Sequence, residues 1–301
     1  MGKSGFYFQL ARPFTLLAPL IGFLSAGWVA WLARGLGNLT LGQGICAVLL
    51  GGLAAAFLNA ASNAINQIFD LEIDRINKPD RPLPSGTINL REAWIFTLVC
   101  YVLTFLLAAL VNRWFFIIVL FTSLITYAYS GPPFRTKRFG ILANVTIAIP
   151  RGCLLVVAGW SSIANPMDRE PWLLGLVMGL YILGAATTKD FSDMEGDRKY
   201  GCMTLPIRYG VRASAWMISP FFILPFILLA FFAGTGWLSA DGRWIGLLGV
   251  LLAVWGAYIA YLILRKPDEL TLEANHVSWK HMYLLMLAAQ VGMGVAYALS
   301  R

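Results

Sequence analysis

The stretch GICAVLLGGLAAAFLNAASNAIN, residues 44–66, runs without a break into Gln67-Ile68-Phe69-Asp70-Leu71-Glu72-Ile73-Asp74-Arg75. The first part carries no charged side chain. A helix needs about 20 apolar residues to cross a bilayer, so this run is long enough to span one. The second part sets carboxylates at the end of that span. Asn66, Asp70 and Asp74 recur at every fourth residue, and a helix carries such positions on one face. Carboxylates stacked in this way repel one another and call for a cation.

The rest of the chain repeats the first half of that reading. Apolar runs fall at 14–34, 44–66, 93–112, 114–130, 141–163, 171–189, 214–235, 244–264 and 279–299. Of the 301 residues, 58% are hydrophobic and 13% charged, with a mean hydropathy of +0.70. Soluble domains sit nearer 45–50% apolar and about 25% charged. The expected fold class is therefore all-α: a polytopic membrane bundle of about nine helices, with residues 1–301 forming a single domain. No convincing small-residue cleavage site follows Lys3, Arg12 and the first run, so that run is expected to stay as a span. Asn112-Arg113 alone separates two runs and predicts a tight helical hairpin. Cys46, Cys100, Cys153 and Cys202 form no metal-ligand spacing and read as small packing residues. His276 and His281 stand five apart, not the four of a helical metal pair, and read as interfacial.

The net charge of +8 could suggest nucleic acid as a partner, but its distribution excludes it. With the N-terminus on one side of a nine-span bundle, 17 of the 23 Lys and Arg residues fall on that side and 5 on the other. Arg151 alone lies inside a run. This asymmetry makes the N-terminal side cytoplasmic, and the expected location is the cell (inner) membrane, with the bilayer itself as a partner.

The acidic stretch has a second copy. Asp193-Met194-Glu195-Gly196-Asp197-Arg198 repeats the pattern D-x-E-x-D-R. The first copy is followed by Arg81-Pro82-Leu83-Pro84-Ser85-Gly86, the second by Thr204-Leu205-Pro206 and Gly210. Both fall on the N-terminal side, four spans apart. The simplest reading is two internally similar halves, with motif loops near 66–91 and 189–212, facing one site. Asp193 and Asp197 share the four-residue spacing, and Asp190 lies one turn before Asp193 on a neighbouring face. Hard oxygen ligands suit magnesium, which uses one or two carboxylates together with phosphate oxygens and water. A solvated acidic loop paired with its own arginines is the alternative, and duplication at two span exits on one side argues against it.

Together, Asn66-x3-Asp70-x3-Asp74 with RPLPSG downstream, and Lys189-Asp190 through Asp193-Met-Glu-Gly-Asp197-Arg198, resemble the two signature motifs of the UbiA superfamily of intramembrane prenyltransferases. The resemblance covers nearly the whole chain. It implies a nine-helix bundle with a cytosolic cap over a central cavity, and transfer of a prenyl group from a prenyl diphosphate to a hydrophobic or aromatic acceptor. It also implies that Asn66, Asp70, Asp74, Asp193 and Asp197 bind magnesium and diphosphate, the four aspartates serving as metal ligands and catalytic groups. Arg75, Arg81, Lys137 and Lys189 are the implied partners of the diphosphate. The stretch from Tyr127 to Pro133 resembles the loop between the family's fourth and fifth helices, so Tyr129 is expected near the allylic cation, which an aromatic face stabilises by about 0.5–2 kcal/mol. Asn66-Gln67 departs from the more common Asn-Asp pair and is similar to homogentisate prenyltransferases. The Asp70–Gly86 run is similar to enzymes that prenylate geranylgeranylglyceryl phosphate, and the EGDR…LP…G pattern to chlorophyll synthases. Arg151 lies roughly 15 Å from the membrane surface and needs a partner: an anionic acceptor, or a structural contact beside Pro150 and Gly152. A transporter is the competing class, but transporters place their charges near the midplane, and here the carboxylates sit at one surface.

Overall fold

Apolar runs bounded by good helix caps become helices that cross a bilayer. The computed structural model describes residues 3–272 and 276–301. Among the described residues nine helices are long and apolar enough to span: Pro13–Arg34, Leu41–Phe69, Leu90–Val111, Arg113–Ser130, Ile141–Ser161, Arg169–Lys189, Val211–Gly234, Gly242–Leu264 and Val277–Leu299. Each expected run falls on one of them, and the ends differ by a few residues.

The ends are set by local chemistry. Thr40 with Gln43, and Asn89 with Glu92, form capping boxes at the starts of the second and third spans, satisfying amide donors that would otherwise have no partner. The tight hairpin is present. Asn112 is the one residue between the third and fourth spans. Its Oδ1 accepts from the Phe115 amide at 2.9 Å, and its Nδ2 donates to the Ser161 carbonyl at 2.8 Å. One side chain thereby caps one helix and ties it to the end of the fifth.

Leu98, Leu106 and Leu110 on the third span, and Leu247, Leu251 and Val254 on the eighth, point outward and are exposed. In water such faces would be unfavourable; in a bilayer they meet lipid. The chain is an integral membrane protein. Inside, the later spans share a large core around Trp160, Tyr181, Phe222 and Phe226. The earlier spans pack through smaller clusters, one around Phe23, Leu58 and Phe115, another around Leu10, Ile68 and Leu83. A cavity runs between the two sets, bordered by Phe23, Leu58 and Phe115 on one wall and Tyr181, Ile182 and Met282 on another.

Three short helices cap the bundle on the side where both acidic motifs emerge: Leu71–Asn77, Met194–Lys199 and Leu205–Tyr209. The fifth span is interrupted by a π-helical turn over Ile149–Leu154. Pro150 lacks the amide hydrogen of an ordinary helical turn, and π-turns often accompany functional positions. This one carries Arg151.

Candidate active site

The second span ends at Phe69, but its hydrogen-bond ladder continues through the cap. The Asp70 amide donates to the Asn66 carbonyl at 2.9 Å and the Asp74 amide to the Asp70 carbonyl at 2.7 Å. Asn66, Asp70 and Asp74 therefore share one face, and all three line the cavity. Asn66 Nδ2 donates to Asp70 Oδ2 at 2.8 Å. Asp70 is then held by two cations from the loop after the fourth span, Lys137 at 2.5 Å and Arg135 at 3.1 Å. Asp74 pairs with Arg81 at 2.6 Å. Asp70, Asp74 and Lys137 are all buried.

The second motif docks against the first. Asn77 Nδ2 donates to the Asp193 carbonyl at 2.9 Å, and the Gly196 amide donates to Asn77 Oδ1 at 2.9 Å. A Cβ at Gly196 would lie 2.7–2.8 Å from the Asn77 side chain, so only glycine allows this approach. Lys78 Nζ bonds Asp193 across the joint. Asp190 and Asp197 also line the cavity but, among the described residues, meet no cation at ion-pair distance.

The electrostatics follow from that pairing. Burial pushes the Asp197 carboxyl up to about 6, and Asp193 and Asp70 add repulsion that Lys137 only partly offsets. Burial, then Asp197 and Asp193, push Asp190 well above the ordinary range. Asp193 goes the other way: burial would raise it, but Lys189, Lys78 and Arg81 together hold it below its usual value. Burial likewise disfavours the Lys137 ammonium, yet Asp70 leads a set of neighbours that keep its pKa raised.

Whether these residues suit a metal is a matter of donor chemistry. Among the described residues no three His, Cys, Asp or Glu side chains gather into a cation cage. The available donors are carboxylate oxygens, two of them unpaired and mutually repelling. That set fits a hard cation such as magnesium, which arrives with phosphate oxygens and waters and needs only one or two carboxylates from protein.

Of the residues expected from sequence, Asn66, Asp70, Asp74, Arg81, Tyr129, Lys137, Arg151, Lys189, Asp193 and Asp197 all border one cavity of about 2220 Å³, its open mouth included. Arg75 does not. It stands on the exposed face of the first cap helix and pairs with Glu72 at 2.6 Å. Its neighbour Asp74 points inward, and successive helical residues point about 100° apart.

Sequence reasoning missed Arg12, Asn63, Asn77 and Lys78 and left Asp190 unassigned; all line the same cavity. The signal for Lys78 was present, since it follows Asp74 by four residues and shares its face. Arg12 has a left-handed backbone, φ 57°, a strained state for a non-glycine residue. Burial lowers its pKa to about 10, with added repulsion from Arg81 and Arg151.

The match to known proteins agrees with this geometry. The sequence profile of the UbiA prenyltransferase family covers residues 20–287. The chain is similar to a digeranylgeranylglyceryl phosphate synthase from Methanobrevibacter smithii, 30% identical over 294 residues and 96% of each chain. A solved structure of a digeranylgeranylglyceryl phosphate synthase superposes with a TM-score of 0.71 at 30% identity over 99% of both chains. A UbiA homolog from Archaeoglobus fulgidus, solved with GPP and Mg2+, shares the fold, with a TM-score of 0.75 at 24% identity over 97% of this chain and 99% of that one. A duplicated acidic motif over an intramembrane cavity, a family profile spanning most of the chain and a relative matched end to end converge: the chain belongs to the UbiA prenyltransferase family and is an intramembrane prenyltransferase.

Proposed function

We propose that the chain transfers a prenyl group from a prenyl diphosphate to a lipid-soluble acceptor, with magnesium held at the rim by Asp70, Asp74, Asp193 and Asp197 and with Asn66 orienting Asp70. The observation that carries this reading is the meeting of both acidic motifs above a single apolar-walled cavity. The A. fulgidus homolog solved with GPP and Mg2+ supports the choice of cation and donor. When bound, magnesium supplies Lewis-acid stabilisation of the departing pyrophosphate.

The chain's own residues account for the rest. Arg81, Lys137 and Lys189 supply positive charge where negative charge develops on the leaving group. The bond between C1 and the diphosphate oxygen breaks, and its electron pair leaves with pyrophosphate. Tyr129 presents an aromatic side chain toward the allylic cation. Phe23, Phe115 and Leu155 border the apolar depth that shelters this cation from water. The acceptor's nucleophilic atom then bonds C1 and releases a proton. The relatives named digeranylgeranylglyceryl phosphate synthases support a glycerol phosphate lipid as acceptor.

In this reading the two motifs belong to two similar halves of one domain and the motif side is cytoplasmic, in the cell membrane; the charge asymmetry of the sequence supports the orientation. Cysteines introduced at Ser4 and Ser300 in a cysteine-free background should label from opposite faces; labelling of both from one face contradicts the assigned orientation. The function itself is tested by pyrophosphate release and prenylated product from geranylgeranyl diphosphate in proteoliposomes supplied with a prenylated glycerol phosphate acceptor. Release should need magnesium and stop in excess chelator, and full activity under chelation refutes the assignment.

A further inference from the structure

Six cationic side chains line the cavity: Arg12, Lys78, Arg81, Lys137, Arg151 and Lys189. Lys78, Arg81 and Lys137 are each paired with a motif carboxylate. Among the described residues, Arg12, Arg151 and Lys189 meet no carboxylate at ion-pair distance. Among the described residues Arg151 has a single polar contact, its guanidinium donating to Asn63 Oδ1 at 3.4 Å. Asn63 is itself fixed, because its Nδ2 donates to the Ala11 carbonyl and to Thr15 Oγ1, each at 2.9 Å. One side chain thus ties Arg151 to the corner that holds Arg12. Lys189, at the end of the sixth span, acts on Asp193 at the motif rim and is left to the donor diphosphate.

Arg151 is placed there by construction. The π-turn sets its side chain toward the cavity, and Gly152 beside it packs backbone to backbone on the sixth span. A Cβ at Gly152 would sit 2.5 Å from Gly179 Cα and 2.7 Å from the Met178 carbonyl. Arg151 is surrounded by helices and yet exposed, so its accessible surface opens into the cavity.

Uncompensated cations inside a membrane bundle are costly. The donor does not remove the cost, because the divalent cations that accompany a diphosphate offset most of its charge. We propose that Arg151 and Arg12, with Asn63 as their spacer, form a second anion subsite that seats the phosphate monoester of the acceptor. Asn63 precedes Asn66 by three residues, so the subsite lies roughly 4.5 Å further into the membrane than the start of the first motif. Two guanidinium forks suit a phosphate dianion with three free oxygens, whereas a lone carboxylate occupies one fork. The inference rests on the reading that the donor diphosphate occupies the motif rim.

The test uses the full chain in lipid nanodiscs with geranylgeranyl diphosphate, magnesium and two acceptors: a prenylated glycerol phosphate and the same lipid without its phosphate. The wild-type protein should favour the phosphorylated acceptor by about 10- to 100-fold in kcat/KM, the range of one or two charged hydrogen bonds. Arg151→Gln should erase that preference by raising the KM of the phosphorylated acceptor, while the KM of the donor and the rate with the phosphate-free lipid stay unchanged. Arg151→Lys should restore part of the preference. Equal use of both acceptors by the wild-type protein overturns the subsite without any variant. So does an Arg151→Gln protein that keeps its preference, or one whose donor KM rises in step with that of the acceptor. Failure to release pyrophosphate with either acceptor instead refutes prenyl transfer, and the subsite falls with it.

Discussion

The two acidic motifs have nearly the same sequence and opposite electrostatic states. In the first, Asp70 and Asp74 are each paired with buried or half-buried cations. In the second, among the described residues, only Asp193 has such a partner, and it borrows Lys78 from the first motif. Asp190 and Asp197 are instead pushed up, first by burial and then by neighbouring carboxylates. The first motif is therefore neutralised within the fold, while the second is left wanting a cation. Two copies of one pattern thus differ before metal arrives: the first also holds the rim together through its ion pairs, while the second has carboxylate charge still to be met.

This difference predicts that equivalent substitutions agree on activity and disagree on stability. Asp70→Ala and Asp197→Asn should each lower turnover by orders of magnitude, since both remove a ligand for the metal–diphosphate complex. Asp70→Ala should also destabilise the protein, because it strands Lys137 and Arg135; breaking a buried pair costs about 3–5 kcal/mol. Asp197→Asn should stabilise the metal-free protein at neutral pH by removing an unpaired buried charge. Thermal unfolding in detergent without metal reads both. If the two variants shift the midpoint in the same direction, the contrast between the motifs is wrong.

A smaller effect sharpens the same contrast through pH. The Asp197 carboxyl titrates at about 6 in the folded protein, against an ordinary 3.8. Between those values the folded state holds a proton that the unfolded state has released. Stability from this group is therefore present at low pH and lost as pH rises through the window, by on the order of 2–3 kcal/mol. Asp190 shifts in the same direction and Asp193 in the other. Metal-free protein should accordingly melt at a higher temperature at pH 5 than at pH 7.5. Magnesium with pyrophosphate at pH 7.5 should recover the difference, and Asp197→Asn should abolish most of it. A midpoint that rises from pH 5 to 7.5 without metal would contradict the assigned state of Asp197.

Much of this was legible in the sequence, for physical reasons that differ by residue. The spans were readable because a bilayer imposes length and apolarity on every crossing. Asp70, Asp74, Asp193 and Asp197 were readable because four-residue spacing survives the break between a span and its cap helix. The Asn112 hairpin was readable because nothing else separates two apolar runs. The cations were harder. Lys and Arg crowd the cytoplasmic loops of any membrane protein, so composition did not distinguish Arg12, Lys78 and Arg135, although Lys78 follows Asp74 by one helical turn. What selects them is geometry: a left-handed turn at Arg12, a second at Arg135, and a joint across which Lys78 reaches the other motif. Asn63 was hidden for another reason. It sits within an apolar run as one polar residue among several, and only packing shows that it faces Arg151.

Arg75 gives the smallest expected effect and the sharpest test of helical geometry against sequence adjacency. It follows Asp74 directly in the motif, and the family resemblance offered it as a diphosphate partner. In the structure it lies on the outer face, exposed and paired with Glu72. Arg81, six residues later, curls back to Asp74 and is largely buried. If position in space governs, Arg75→Ala should leave turnover and donor KM nearly unchanged, because an exposed pair contributes only about 0–1 kcal/mol. Arg81→Ala, which leaves Asp74 buried and unpaired, should impair both turnover and stability. Should the cap helix rotate when substrate binds, Arg75 would swing toward the rim, and Arg75→Ala would then raise donor KM alone. Steady-state kinetics of the two variants side by side separates these outcomes: a loss in Arg75→Ala equal to that in Arg81→Ala would mean that the cap helix does not keep this face outward during turnover.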